Sequence, residues 1–199
     1  MGYGSIMVAL VKHSEPISVE EFLAWNPPDG RFWQLVDGIP QAMSPAGVNH
    51  GAIQAELARL LANHLADQHR GCAVITTPGI TPHVRSRDNV RIPDLAVTCS
   101  PRLPEQALLH EPVLIVEILS PSNRTETWSN VWTYTTIPSV KEIIVVSAIA
   151  PEAETLRRLP DGSWPDEPIL VREGEVAFAS IGLMIPLSAI YRTASFGSR

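Results

Sequence analysis

One near-continuous apolar stretch constrains the fold of this chain most strongly: Val113-Leu114-Ile115-Val116-Glu117-Ile118-Leu119. Such a stretch is typical of a strand that other elements cover on both faces. Because side chains alternate along a strand, Glu117 shares one face with Ile115 and Leu119. An ionised carboxylate that is buried there without a partner costs several kcal/mol. Glu117 therefore needs a cation, a hydrogen-bonding network or a bound metal ion. The simpler alternatives are a structural ion pair or a strand end that lies nearer to solvent.

The size and composition favour one globular domain. The chain has 199 residues, of which 45% are hydrophobic and 18% charged, so it can bury a full core and is not a disordered chain. Its net charge of −6 provides no overall positive field, so any contact with nucleic acid must be local. No apolar run is long enough to span a bilayer, and no signal peptide is recognisable. We therefore expect a cytoplasmic protein with no membrane partner, in which Cys72 and Cys99 are reduced thiols.

Capping and periodicity predict three helices. Ser18-Val19-Glu20-Glu21 is a capping box that begins a short helix, which ends before Pro27. A long amphipathic helix covers residues 49–68, because apolar residues recur along one side of it. A weaker helix, rich in threonine, follows Asn123 and ends before Pro138.

Strands account for most of the remaining chain. Asp37-Gly38 between two apolar segments predicts a tight β-hairpin. Four further strands are predicted, at residues 72–80, 92–98, 113–119 and 141–147. Strand-like pieces fill the last third, with turns at Asp161-Gly162 and Glu173-Gly174. The order of the elements predicts a mixed α/β domain.

A second carboxylate stands at the beginning of a predicted strand. Asp94 follows Pro93 and precedes the apolar residues Leu95-Ala96-Val97. If this strand neighbours that of Glu117, the two acids repel each other unless a divalent cation lies between them. The acids therefore outline a site for a hard cation.

Two residues of the long helix are candidates for the same site. Glu56 lies at the edge of the apolar stripe, either as a third acid or as an ordinary solvated residue. His50 opens the helix and would suit either N-terminal capping or a hydrogen bond to a metal-binding carboxylate.

An ordered set of motifs runs through these elements. It comprises Leu35-Val36-Asp37-Gly38, Met43-Ser44-Pro45 followed by His50, Pro93-Asp94-Leu95, Val116-Glu117-Ile118-Leu119-Ser120-Pro121-Ser122, and Tyr134 ahead of Pro138-Ser139-Val140-Lys141-Glu142. In this order the motifs closely resemble those of the Uma-type putative restriction endonuclease family, which belongs to the PD-(D/E)XK nuclease-like superfamily. The resemblance covers about residues 18 to 190.

The resemblance implies a restriction-endonuclease-like α/β core with a central mixed β-sheet flanked by helices, here with an extra N-terminal hairpin and C-terminal strands. We expect this domain to span residues 18–191, between an N-terminal extension (1–17) and a C-terminal tail (192–199). The resemblance also implies a Mg²⁺-dependent or Mn²⁺-dependent endonuclease that hydrolyses DNA phosphodiester bonds. Asp94 and Glu117 would bind the metal, with Glu56 as a third acid.

The chain departs from the family pattern at three positions. Leu119 stands where the superfamily has lysine, Asn130 stands where relatives carry a lysine on the following helix, and Gln34 replaces a glutamate. Without either lysine the site lacks the cation that orients water or stabilises the transition state. Arg124 and Lys141 are candidate substitutes. Arg124 is preferred because it follows the Ser-Pro-Ser turn, close to the end of the predicted strand that carries Glu117, although either residue can be an ordinary solvated charge.

Positive charge for DNA binding is concentrated in one short segment, which contains Arg85, Arg87 and Arg91. Ordinary surface charges are the alternative. Trp128 and Trp132 are spaced for core or dimer packing more than for base stacking. Two hypotheses follow: a DNA endonuclease that forms a homodimer, or a catalytically decayed module of the same fold that binds DNA or a protein partner.

Overall fold

The computed structural model describes residues 15–27, 30–68, 71–120 and 123–196. The N-terminal part consists of helix α1 (Val19–Ala24), a hairpin of strands β1 (Trp33–Val36) and β2 (Ile39–Ala42), and the long helix α2 (Val48–Asp67).

Local sequence signals account for the first two of these elements. Ser18 Oγ accepts the N–H of Glu21, while the Glu21 carboxylate accepts the N–H of Ser18, so the predicted capping box is confirmed. Asp37 and Gly38, in the turn between β1 and β2, both have positive φ, as a tight Asp-Gly hairpin requires. The predicted hairpin is therefore also confirmed.

Six strands form the central sheet: β3 (Ala73–Thr76), β4 (Leu95–Thr98), β5 (Pro112–Leu119), β6 (Glu142–Ser147), β7 (Ala153–Arg157) and β8 (Ile169–Val171). They lie side by side in this order. β5 and β6 are parallel, whereas the other neighbouring pairs are antiparallel. Helix α3 (Arg124–Tyr134) connects the two parallel strands. The predicted mixed α/β fold is confirmed.

The C-terminal part forms a separate small sheet. It contains β9 (Glu175–Phe178), a turn of 3₁₀ helix (Ala179–Ile181), β10 (Leu183–Pro186) and helix α4 (Leu187–Ile190). β9 and β10 pair antiparallel, which confirms the extra C-terminal strands. None of the helices in the described part of the chain is both long and apolar enough to cross a membrane.

The two faces of the central sheet bury separate apolar clusters. On one face, Val116 and Ile118 pack in a cluster with α2 and the C-terminal elements. On the other face, Ile115 and Leu119 pack in a cluster with α3. Because alternate residues of β5 enter the two clusters, the strand is buried on both sides as its composition predicts. Ile115, Glu117 and Leu119 are alternate residues of β5, so the Glu117 side chain lies on the same face of the sheet as the other two, the one that α3 covers.

Two strands are shorter than predicted, because the chain leaves the sheet between them. Thr77 has a positive φ and its N–H bonds the carbonyl of Asp94, which ends β3 and delays the start of β4. Ile80 and Arg91 pair only through an isolated bridge. Asp94 consequently lies at the end of the sheet and not within it.

The expectation of reduced thiols is wrong in this structure, because Cys72 and Cys99 form a disulfide. The register of β3 and β4 pairs Ala73 with Thr98. One further step places Cys72 directly opposite Cys99, close enough for a bond to form. The disulfide closes the end of this strand pair that lies away from Asp94.

Candidate active site

Two acids meet where β4 begins beside β5. The strand register pairs Leu95 with Val116, so one further step places Asp94 opposite Glu117. The Glu117 carboxyl interacts with both the backbone and the side chain of Asp94. Asp94 Oδ2 also accepts the N–H of Ile118 at 2.7 Å. The structure therefore brings together the two acids that the sequence singles out.

Glu117 is a buried acid, with 7% of its surface exposed. Burial, and secondly the charge of Asp94, raise the pKa of the Glu117 carboxyl well above its usual range. The hydroxyl of Tyr134 donates to Glu117 Oε1 at 2.8 Å, which favours the ionised form. In the parts of the chain that the structure describes, no lysine or arginine forms an ion pair with Asp94 or Glu117. The simple structural ion pair is therefore not formed.

Helix α2 holds Asp94 from the other side. His50 Nε2 lies 2.7 Å from Asp94 Oδ1, and Gln54 Nε2 donates to the Asp94 carbonyl at 2.9 Å. The helix N-cap is Gly47, so of the two interpretations of His50 the hydrogen bond to the acid is confirmed. Gln54 was not predicted, although its spacing of four residues from His50 places the two on one helix face. The His50 and Asp94 side chains are 12% and 14% exposed, so solvent reaches this edge of the acidic pair.

The acidic pair fits a hard divalent cation. Mg²⁺ prefers oxygen ligands and is often held by one or two carboxylates while it keeps several waters. A cation between Asp94 and Glu117 would offset their repulsion and the cost of burying Glu117. Within residues 15–27, 30–68, 71–120 and 123–196, no group of three or more His, Cys, Asp or Glu side chains is arranged to hold a metal. The fit therefore rests on these two carboxylates alone.

Residues 19–186 match the model of the Uma2 family, described as "Putative restriction endonuclease". The chain belongs to this family. A crystal structure described as that of a putative nuclease from Anabaena variabilis ATCC 29413 matches with a TM-score of 0.72 and 18% sequence identity, over 89% of this chain and 98% of that chain. At this identity the match shows a shared fold. Comparison with curated proteins found no match.

Glu56 of this Uma2 protein does not join the acidic pair. Its carboxylate contacts Arg192 Nη2 at 2.8 Å and Arg59 Nη2 at 2.6 Å. Hydrogen bonds from Arg192, and secondly from Arg59, lower the pKa of Glu56 to about 2. The edge of the α2 stripe thus faces the C-terminal segment and not Asp94. The prediction of a third metal-binding acid is corrected to a buried ion-pair network, which also excludes the solvated alternative.

The two candidate substitutes for lysine lie apart from the acids. The Lys141 N–H bonds the carbonyl of Val113, which is four residues or about 13 Å along β5 from Glu117. Arg124 is exposed at the start of α3, where its charge acts on Glu154. Neither residue is among the charges that act on Glu117. The structure therefore does not bring either cation to the acidic pair.

The three arginines predicted to bind DNA do not form one surface. Arg85 and Arg87 are exposed, and Arg85 pairs with Asp37 at 3.2 Å. Arg91 is instead buried, with 5% of its surface exposed, and its Nη1 donates to the carbonyl of Leu35 at 3.5 Å. Only the first two can contact DNA from an outer surface.

The departures from the family pattern occupy buried positions. Leu119 packs in the apolar cluster under α3, and Asn130 is 9% exposed on that helix. Gln34 is 2% exposed and its Nε2 donates to Glu126 Oε1 at 2.5 Å. Trp128 packs against the same apolar cluster, as predicted for a core residue.

A further acid lies in line with the pair. Val145 is the partner of Glu117 in the parallel ladder and of Glu154 in the antiparallel one, so the three residues form a row across one face of the sheet. Burial raises the pKa of Glu154. Glu154 was not predicted, because the sequence of one strand does not show how three neighbouring strands are aligned.

Proposed function

We propose that this Uma2 protein is an endonuclease that hydrolyses phosphodiester bonds of DNA, with Mg²⁺ or Mn²⁺ bound by Asp94 and Glu117. The observation that carries the proposal is the pair of carboxyls facing each other across β4 and β5. One of them is buried, and no lysine or arginine of the described segments pairs with it. Membership of the Uma2 family, whose model is described as "Putative restriction endonuclease", supports the same chemistry.

The chain's own residues position the two acids. His50 and the N–H of Ile118 fix the Asp94 carboxylate, while Tyr134 fixes that of Glu117. When bound, the metal ion would polarise the phosphate and lower the pKa of an attacking water. The exposed arginines 85 and 87 would contact DNA phosphates outside the acidic pair.

Cleavage of supercoiled plasmid in Mg²⁺ or Mn²⁺ tests the proposal. We expect the wild type to nick the plasmid and both Asp94→Asn and Glu117→Gln to lose this activity. Glu152→Gln is a matched control, because the half-buried Glu152 pairs with the exposed Arg172 and is not among the charges that act on Glu117. Equal cleavage by the wild type and both acid variants would contradict the assignment.

A catalytically decayed DNA-binding or protein-binding module is the second candidate. It is favoured by the neutral residues Leu119 and Asn130 and by the positions of Arg124 and Lys141 away from the acids. Calorimetric titration separates the two candidates. A decayed site predicts no saturable Mg²⁺ or Mn²⁺ binding, whereas the enzyme predicts saturable binding that Asp94→Asn removes.

We also propose that the protein acts as a homodimer, since Trp132 is 42% exposed on α3 and its ring lies near that of Trp128, with centroids 6.3 Å apart. Sedimentation velocity tests this assembly. A monomer at all concentrations would contradict it.

A further inference from the structure

Arg91 is a buried cation without an ion-pair partner. Its side chain is 5% exposed, and among the described residues no carboxylate lies within ion-pair distance of it. The Nε–H group is buried and has no hydrogen-bond partner among the residues that the structure describes. Burial lowers the pKa of Arg91 more than Tyr134, Asp37 and Glu126 raise it. The surrounding acids therefore offset only part of the cost of burial, and a buried charge of this kind is costly unless an anion approaches it.

The guanidinium faces one side of helix α3. Its charge acts on Glu126 and on Tyr134, which are eight residues apart and share a helix face with Asn130 between them. Tyr134 is also the residue whose hydroxyl holds Glu117. Tyr134 therefore interacts both with Arg91 and with Glu117, whereas Arg91 is not among the charges that act on Glu117 itself.

A second unpaired atom belongs to the same place. The bridge between Leu35 and Val90 puts Gln34 opposite Arg91 when the antiparallel register is extended by one residue. Gln34 Oε1 is buried and has no hydrogen-bond partner within the described part of the chain, while the Gln34 Nε2 group donates to Glu126. Of these two open atoms the Gln34 oxygen is an acceptor, so only the Arg91 Nε–H group can donate to an anion.

We infer that the buried guanidinium of Arg91 binds a phosphate group of the nucleic-acid substrate next to Tyr134. This inference rests on the proposed function for the source of the phosphate. Nε–H would donate to a phosphate oxygen, and the anion would compensate the charge that the protein leaves unpaired. Arg91, in the segment before β4, would thus provide a positive charge in place of the one that is missing at Asn130 on α3.

Nuclear magnetic resonance of the Arg91 Nε–Hε group tests the inference on the wild-type protein. The signal is identified by its loss in Arg91→Lys. We expect inorganic phosphate to shift it, relative to chloride at equal ionic strength, and a short DNA duplex in Ca²⁺ to shift it as well. If only free phosphate does so, the nucleic-acid source is overturned. If neither does so, the anion site itself is overturned.

Duplex affinity provides the second measurement. We expect Arg91→Met to weaken binding about 10-fold and to reduce the slope of log Kd against log salt by about one, which corresponds to one phosphate contact. Arg172→Met is the control, because Arg172 is an exposed arginine paired with Glu152, and it should leave both quantities unchanged. Unchanged binding by a folded Arg91→Met variant would overturn the inference.

The thermal stability of the metal-free protein distinguishes this role from a structural one. Removal of an uncompensated buried charge should leave the Tm of Arg91→Met equal to or above that of the wild type, whereas a structural ion pair would make it fall. The inference and the proposed function fail separately. Phosphate binding at Arg91 without plasmid cleavage contradicts only the nuclease, and cleavage by a wild type whose Arg91 signal ignores DNA contradicts only the phosphate site.

Discussion

The hydroxyl of Tyr134, the last residue of α3, donates a hydrogen bond to Glu117 Oε1 at 2.8 Å. Glu117 is the acid of the apolar strand β5. This bond favours the charged form of a carboxyl that burial and Asp94 both disfavour. The affinity of the acidic pair for a cation therefore depends on a residue that lies outside the two strands.

Tyr134→Phe should weaken metal binding. A hydrogen bond to a charged group contributes about 1.5–3 kcal/mol, so its loss should lower the affinity for Mn²⁺ about 10-fold or more. Calorimetric titration measures this affinity. Tyr191→Phe is the matched control, because the Tyr191 hydroxyl bonds the carbonyls of Ser147 and Glu152 and should affect stability alone. An unchanged Mn²⁺ affinity in Tyr134→Phe would show that the bond does not support the site.

Glu117→Gln should stabilise the metal-free protein at neutral pH. The raised pKa of Glu117 means that its ionised form destabilises the fold, and glutamine removes the charge while it can still accept the Tyr134 bond. Each kcal/mol gained corresponds to a rise in Tm of about 3 °C. The gain should shrink as the pH falls, because the wild-type carboxyl then takes up a proton in the folded state before it does so in the unfolded state. Calorimetry in a chelator measures both effects.

Glu142→Gln provides the contrast for this measurement. Glu142 is equally buried, at 1% exposure, but Arg157 Nε compensates its charge at 2.7 Å. Its substitution should lower the Tm, since it leaves Arg157 without a partner. A fall of the same size in Glu117→Gln would show that Glu117 is a structural acid.

The ion pairs of Glu56 with Arg59 and Arg192 should stabilise the fold at neutral pH and lose this effect at low pH. Arg192 and Arg59 lower the folded-state pKa of Glu56 from 4.5 to about 2. The stabilisation is therefore complete when the pH is above the ordinary pKa of 4.5, and it disappears as the pH falls from there toward the folded-state pKa. Glu56→Gln should lose on the order of 1 kcal/mol at about pH 7, since both arginines are half-exposed and solvent screens them. Urea unfolding should show this difference shrinking toward pH 2. A difference independent of pH would contradict the ion-pair origin.

The disulfide between Cys72 and Cys99 should stabilise the protein. It closes a loop with a sequence separation of 27, for which the chain-entropy estimate is about 3–4 kcal/mol. We expect thiol titration of the unreduced, unfolded protein to find no free thiol. A reductant should lower the wild-type Tm to that of the double variant Cys72→Ser and Cys99→Ser, and should not affect the variant. If the titration finds two free thiols, the disulfide is contradicted and the reduced cysteines expected from the sequence are supported.

Local patterns predicted the elements that later form the site. The capping box of α1, the Asp-Gly hairpin, the apolar stripe of α2 and the buried strand β5 all follow from the chemistry of neighbouring residues. Asp94 and Glu117 stood out for the same reason, because each is an acid at an apolar strand. The strands predicted at residues 72–80 and 92–98 were too long. The chain turns at Thr77, where φ is positive, and this turn ends the first strand early.

Only tertiary structure decided which residues meet. Glu56 pairs with Arg192 of the C-terminal segment as well as with Arg59 of its own helix. Lys141 lies at the far end of β5 from Glu117, and Arg91 is buried beside α3. These outcomes depend on strand register and helix rotation, which are set by packing between distant segments. The sequence by itself therefore determined which acids and elements exist in this protein. The tertiary structure determined their partners, because a contact between residues far apart in the chain exists only once the whole core has packed.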